Sequence, residues 1–281
     1  MGGRRIAYAR KSTCIEKNAS QLKGVAVFSD DIRDGIKGSV FIEDEKGFVS
    51  GRKGMEQSIR FGVVASCQHP QVDYSLVNYS KAPYATDPGQ VVTYAECHDN
   101  HVLWDKLALS ASEFDEATRI RMHKLALGIV LTSQGIPFLH AGTEFLRTKN
   151  GNENSYNAGD SINAIDWSLK SKNRNVFQYV QSLLKLRREH PAFRLRTGDQ
   201  VQRYIHFFDT PASIVAYKID GSGAHDKWNT IIVVYNAQQG ATTFDLPKGQ
   251  WKHVDLENEK VKIRKNTASL PGIGCYVFYQ Q

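Results

Sequence analysis

The sequence lacks any long apolar run. No stretch approaches the roughly 20 consecutive apolar residues that a membrane-spanning helix needs, so we expect no membrane segment. No secretory signal peptide is recognisable, because the apolar run at residues 6–9 is far too short to form the core of one. These absences leave the cellular location open.

Cysteine is also scarce. The four cysteines, Cys14, Cys67, Cys97 and Cys275, form no C-x-x-C pair and have no histidine at zinc-finger spacing, so we expect free thiols. The glycines fall in neither G-x-G-x-x-G nor P-loop spacing, which excludes the common nucleotide sites. We therefore predict no cofactor and no metal site; calcium is compatible with the sequence but is not indicated by it.

Basic residues exceed acidic ones, but their distribution argues against nucleic-acid binding. The formal net charge is +7. Residues 1–24 contain six Lys or Arg against one Glu, which places +5 of that charge in a short basic start. The remainder is nearly neutral, whereas nucleic-acid binding needs basic residues spread over a surface. We therefore expect neither a nucleic-acid nor a membrane partner.

Residues 24–200 alternate between short buried strands and helices. The apolar runs VAVF (25–28), VVTYA (91–95) and IPFL (136–139) are typical of strands buried on both faces. Helical spacing follows them at residues 51–66, 111–135 and 175–193, with Ser112 as the predicted N-cap of the second helix and Pro191 closing the third. The pattern predicts an α/β fold with a parallel sheet.

The pattern of apolar and turn residues changes near residue 201. Short β-rich runs, such as SIVAYKID and NTIIVVYNA, are separated by turn residues up to the end of the chain, which is typical of an antiparallel sandwich. We predict three regions: a poorly defined basic start at 1–23, an α/β region at 24–200 and an all-β domain at 201–281. The last of these, in contrast to the α/β region, could fold alone.

Four motifs occur in the α/β region and resemble those of one enzyme family. They are VAVFSDDIRDGIKGSVF (25–41), YAECHDNH (94–101), LTSQGIPFLHAGTEFLRTK (131–149) and GNENSYNAGDSINAIDW (151–167). In this order they resemble type I pullulanases, which belong to glycoside hydrolase family 13, the α-amylase superfamily. The resemblance implies strands six to eight of a (β/α)₈ barrel followed by a carboxy-terminal β-sandwich.

The resemblance also implies the site residues. Asp99 stands where the family has the carboxylate that stabilises the oxocarbenium-like transition state, at the end of a barrel strand. His98 would hydrogen-bond the same glucosyl unit, since a neutral imidazole both donates and accepts. Asn100 is a weaker candidate, because its amide could either reach the sugar or hold the loop.

Two further groups of side chains have alternative interpretations. Asn154, Tyr156 and Asp160 offer polar groups suited to glucan hydroxyls, but the same residues also suit a loop folded on itself through Asx turns. Glu144 follows the last strand of the α/β region and could be interpreted as a catalytic acid. We favour a structural role for it.

The family's nucleophile Asp and general acid Glu have no counterpart in this sequence. Asp30, Asp31 and Asp34 follow strand six and are not assigned to those roles. We therefore expect an incomplete fragment of a retaining debranching enzyme, inactive alone, whose partners would be α-glucan (pullulan, amylopectin or glycogen limit dextrins) and the missing amino-terminal part of the barrel. The alternatives are a non-catalytic glucan-binding module and an α-1,4-acting amylase or neopullulanase.

Overall fold

The computed structural model describes residues 5–6, 18–22, 24–257 and 261–281. Cys14 and most of the basic start at 1–23 therefore lie outside the described residues. The other three cysteines are free thiols. Within the described part, no helix has the length and apolar character required to cross a membrane.

A parallel four-stranded sheet forms the centre of the first half. Its strands are β1 (Arg5–Ile6), β2 (Val25–Phe28), β3 (Val91–Thr93) and β4 (Ile136–Pro137), in the order β1-β2-β3-β4. All three neighbouring pairs are parallel, so the carboxyl ends of the strands share one edge. The sequence predicted β2 to β4; the two-residue strand β1 is an addition, because its apolar run was too short to be recognised.

Eight helices of the described residues surround this sheet or connect it to the second half. They are α1 (Asp30–Lys37), α2 (Glu56–Val63), α3 (Leu103–Ser110), α4 (Glu116–Thr132), α5 (Asp160–Asn163), α6 (Ser168–Lys172), α7 (Arg174–Glu189) and α8 (Gly198–Tyr204). Helices α1 and α2 connect β2 to β3, and α3 and α4 connect β3 to β4. Helix α8 crosses the predicted boundary at residue 200 and runs directly into the following strand.

The start of α4 differs from the sequence-based prediction. Ser112 is not the N-cap, because it lies in the turn that precedes the helix. Asp115 is the N-cap residue, and its carboxylate accepts a hydrogen bond from the backbone N–H of Thr118 at 2.8 Å. An N-cap carboxylate satisfies a free N–H of the first turn and favours the helix dipole, so the later acidic residue replaces the serine.

The second half is a β-sandwich of two antiparallel sheets. The larger sheet has the order β5-β6-β7-β12-β9 and the smaller one β10-β11-β8. Their bounds are β5 (Ile205–Phe207), β6 (Ile214–Asp220), β7 (Thr230–Asn236), β8 (Thr242–Asp245), β9 (Lys252–His253), β10 (Lys262–Arg264), β11 (Thr267–Leu270) and β12 (Gly274–Gln280). Apolar side chains such as Ile232, Phe244 and Phe278 fill the space between the sheets.

The opposite face of the larger sheet packs on α4. The Tyr235 hydroxyl lies 2.6 Å from Thr132 Oγ1, and the Tyr217 hydroxyl donates to the Thr132 carbonyl at 2.9 Å. Both tyrosine side chains are fully buried there. Because the larger sheet is covered on both faces, this packing counts against the expectation that residues 201–281 could fold alone.

Candidate active site

The candidate site lies at the carboxyl edge of the parallel sheet, where catalytic groups of such folds are found. The loops after β3 and β4 meet there beside the amino end of α1, which begins two residues after β2. The loop after β3 carries His98 and Asp99, and the loop after β4 carries the candidates Asn154, Tyr156 and Asp160. Hydrogen bonds between these loops define the site.

His98 and Asp99 form the most exposed polar pair of the loop after β3. His98 Nδ1 lies 3.4 Å from Asp99 Oδ1, and the two side chains are 63% and 69% exposed. The next residue, Asn100, has a left-handed backbone with φ of 63°, a conformation that asparagine tolerates better than most residues. The left-handed backbone at Asn100 suits the turn, and the side chains of His98 and Asp99 before it project outward.

Arg33 of α1 contacts the residue that begins the loop after β3, Tyr94. Arg33 is buried and donates from Nε to Asp34 at 2.5 Å, and from its NH1 nitrogen to Asp30 at 2.7 Å and to the Tyr94 hydroxyl at 2.9 Å. Asp31 accepts backbone hydrogen bonds from residues 79 and 80. The carboxylates after β2 are therefore engaged within the protein, which agrees with leaving them out of the catalytic roles.

Lys149 joins the loops after β3 and β4 and was missed by the sequence analysis. Only 3% of it is exposed, and its ammonium group donates to the His98 carbonyl at 3.0 Å and to Ser155 Oγ at 2.6 Å. Burial, reinforced by the charge of Arg147, lowers the pKa of Lys149. No sequence signal distinguishes this lysine from a surface one, because its partners are distant in the chain.

The loop after β4 is folded on itself and leaves three of the predicted side chains exposed. It folds on itself through an Asx turn, in which the Asn154 N–H donates to Asn152 Oδ1 at 3.0 Å. The side chains of Asn154, Tyr156 and Asp160 nevertheless remain exposed, Tyr156 to 81%. Asp160 is the first residue of the short helix α5. The loop is thus internally ordered and still presents polar groups and a phenol ring outward.

Two further carboxylates at this edge have internal partners. Glu144 accepts a hydrogen bond from the Gly142 N–H at 2.9 Å within its own loop, which supports the structural role favoured for it. Glu96 is fully buried and accepts from the Leu103 N–H. Burial raises the pKa of Glu96, against the opposing effects of hydrogen bonds and the Lys37 charge. Burial likewise lowers the pKa of Lys37 to about 8.

Comparison with known proteins finds similarity to pullulanases. The family model described as "Pullulanase, all-beta domain" matches residues 201–256. The pullulanase of Bacillus subtilis (strain 168) is 32% identical over 267 residues, which cover 93% of this chain and 36% of the relative. The chain corresponds to the carboxy-terminal part of the pullulanases. It spans a little over a third of the length of that pullulanase relative.

Solved pullulanase structures share the fold. The Paenibacillus barengoltzii pullulanase in complex with maltohexaose and α-cyclodextrin matches with a TM-score of 0.87 and 39% identity, covering 94% of this chain and 40% of that chain. The Anoxybacillus sp. LM18-11 pullulanase complexed with maltotriose matches with a TM-score of 0.83 and 37% identity, covering 95% and 36%. The predicted fold class, a carboxy-terminal barrel portion followed by a β domain, is confirmed.

Proposed function

We propose that this chain supplies the transition-state-stabilising side of a debranching active site, with Asp99 as the stabilising carboxylate and His98 as its sugar-binding neighbour. The observation that carries the proposal is the exposure of this pair at the strand ends, 63% and 69%, while Asp30, Asp34 and Glu96 have internal partners. The pullulanase relationship supports α-1,6-glucosidic linkages in pullulan, amylopectin and glycogen limit dextrins as the substrate.

The chemistry requires more than Asp99. A retaining glycosidase needs a nucleophile and a general acid/base, with their carboxyl groups about 5–5.5 Å apart across the scissile bond. In the proposed mechanism Asp99 accepts hydrogen bonds from sugar hydroxyls and strengthens them as positive charge develops on the ring. His98 donates to or accepts from a hydroxyl of the same sugar. We propose that the other two carboxylates come from the amino-terminal part of a pullulanase barrel.

Complementation tests this proposal. The 281-residue chain is incubated with pullulan alone, and then together with a separately made amino-terminal pullulanase fragment that carries the two missing carboxylates. We expect reducing ends only from the mixture, with maltotriose as the product, because maltotriose units are joined by α-1,6 linkages in pullulan. Panose as the product would indicate α-1,4 cleavage instead.

Variants of Asp99 and His98 distinguish a catalytic role from glucan binding alone. Asp99→Asn keeps the shape of the side chain but removes its charge, and we expect the mixture to lose about 10²–10³-fold in kcat, as for removal of one transition-state contact. His98→Ala should raise KM and lower kcat. A silent mixture in which the 281-residue chain still binds maltotriose, and loses that binding in Asp99→Asn, would replace the enzyme proposal with the glucan-binding module.

A further inference from the structure

Three potential metal ligands converge beside the candidate site. They are Glu43 from the loop after α1, His101 from the loop after β3 and Glu153 from the loop after β4. One ligand atom of each lies within 4.8 Å of the corresponding atoms of the other two. The two glutamates are exposed, whereas His101 is only 4% exposed. The cluster thus combines a buried, fixed imidazole with two adjustable carboxylates.

Helix α3 fixes all three loops relative to one another. His101 lies two residues before the helix begins at Leu103. Asp105 of its first turn accepts from the backbone N–H of Gly151 at 3.0 Å, which anchors the loop that carries Glu153. The next residue, Lys106, is 1% exposed and donates to the Glu43 carbonyl at 2.9 Å. The three ligands are therefore held by one rigid element.

The hydrogen bonding of His101 suits a ligand. Its Nε2 lies 3.1 Å from the Gly151 carbonyl. A carbonyl can only accept, so Nε2 carries the proton in the neutral ring and Nδ1 keeps a free lone pair. Metal-binding histidines characteristically donate their other ring N–H to a carbonyl or carboxylate in this way, which fixes the tautomer and orients the ring.

Neither carboxylate has a salt-bridge partner in the described part of the chain. No ion pair among residues 24–257 and 261–281 involves Glu43 or Glu153. By contrast, Glu45 in the same acidic loop is paired with Arg52. The nearby Lys106 interacts electrostatically with Glu43, but its ammonium group is hydrogen-bonded to the carbonyls of Ser39 and Glu43. Two carboxylates without a salt-bridge partner therefore lie next to a buried imidazole, an arrangement that a divalent cation would stabilise.

We propose that Glu43, His101 and Glu153 form a binding site for a divalent cation of the zinc class. Imidazole together with carboxylates suits Zn²⁺ better than the all-oxygen ligand sets that Ca²⁺ and Mg²⁺ prefer. Zinc–ligand distances of about 2.0–2.2 Å place neighbouring ligand atoms about 3.4 Å apart in a tetrahedral site. Small rotations of the exposed glutamate side chains close the difference, and water completes the coordination.

The bound cation would tie the loop carrying His98 and Asp99 to the loop carrying Tyr156. It would act as a structural link at the mouth of the site, because none of its three ligands belongs to the proposed catalytic or sugar-binding residues. The proposal does not depend on glycosidase activity. Its test accordingly needs no substrate.

Isothermal titration of the 281-residue chain with ZnCl₂ tests the site, followed by the same titration with CaCl₂ and MgCl₂. We expect one zinc ion bound per chain, with weaker calcium and magnesium binding. Glu43→Gln and Glu153→Gln should each lower zinc affinity at least about tenfold, because even second-shell changes cost 10–100-fold. Asp44→Asn, an exposed carboxylate of the same acidic loop, is the matched control and should leave the affinity unchanged.

The glutamate variants keep the test decisive, because their side chains are exposed and their loss should not affect folding, which far-UV circular dichroism checks. His101→Gln is buried and serves only as a confirming variant. Absence of zinc binding to the parent chain would overturn the proposal. Equal zinc affinity in Glu43→Gln, Glu153→Gln and Asp44→Asn would also overturn it. Calcium binding at least as tight as zinc binding would overturn the assigned cation class.

Discussion

The Arg33 network below the candidate site should be worth several kcal/mol. Arg33 is 8% exposed and Asp34 2% exposed. The guanidinium makes two hydrogen bonds to Asp34, at 2.5 and 3.1 Å, and one to Tyr94 at 2.9 Å. Arg33→Met would leave the Asp34 carboxylate buried without its cation, and breaking a buried pair in this way costs about 3–5 kcal/mol.

A second arginine in the same region provides the control. Arg52 also pairs with a carboxylate, Glu45, but their side chains are 42% and 25% exposed. Exposed pairs contribute about 0–1 kcal/mol, because water and salt screen them. Arg52→Met should therefore change the free energy of unfolding by less than about 1 kcal/mol, although the substitution is chemically identical.

Urea unfolding followed by circular dichroism measures both variants. Since a domain is stable by only about 5–15 kcal/mol, Arg33→Met should lower the midpoint strongly or leave the chain partly unfolded. Adding Asp34→Leu to Arg33→Met should recover part of the loss, because an apolar replacement of both partners leaves neither charge of this pair buried alone. Equal losses in Arg33→Met and Arg52→Met would refute the argument from burial.

Three other predictions follow from single contacts. Although burial alone would raise it, the pKa of Asp226 is held below its ordinary 3.8 by hydrogen bonds, including one of 2.7 Å with His190. That stability is present above about pH 4 and lost as the pH falls through the lowered pKa, so Asp226→Asn should destabilise at pH 7, and its difference from the parent chain should shrink as the pH falls below 4 in urea titrations. Gly128→Ala would place a Cβ 2.6 Å from Cys275 Cβ, and we expect its overpacking to lower stability by about 1–3 kcal/mol in the same assay. Lys149→Met should weaken maltotriose binding measured by calorimetry, because the His98 carbonyl and its loop lose a buried anchor; unchanged affinity would show that the loop is held without it.

The sequence predicted those features that depend on local pattern. Apolar runs located β2, β3 and β4, and motif resemblance identified Asp99 and His98, which lie at a strand end. The catalytic assignment itself stays a prediction. The N-cap of α4 was wrong because Ser112 and Asp115 both fit the local pattern, and only the geometry of the turn selects between them.

Features that depend on distant contacts could not be predicted. Lys149 and Arg33 look like ordinary basic residues, and only folding reveals that both are buried among carbonyl, hydroxyl or carboxylate groups. The cluster of Glu43, His101 and Glu153 has no recognisable ligand spacing, because its members are 58 and 52 positions apart in sequence. Their proximity comes from the hydrogen bonds by which Asp105 and Lys106 of α3 hold the loops of Glu153 and Glu43 beside His101.

The contact between α4 and the larger sheet of the sandwich limits how this protein could be recombined. At Gly128 the helix approaches Cys275 so closely that even one methyl group does not fit without movement. A chimera that exchanged residues 201–281 for those of a relative would have to match this surface of α4 in shape as well as in hydrogen bonding. Helix α4 and the sandwich should therefore be exchanged together as one unit. The crossover point of such a chimera should lie before Glu116 rather than at the apparent domain boundary.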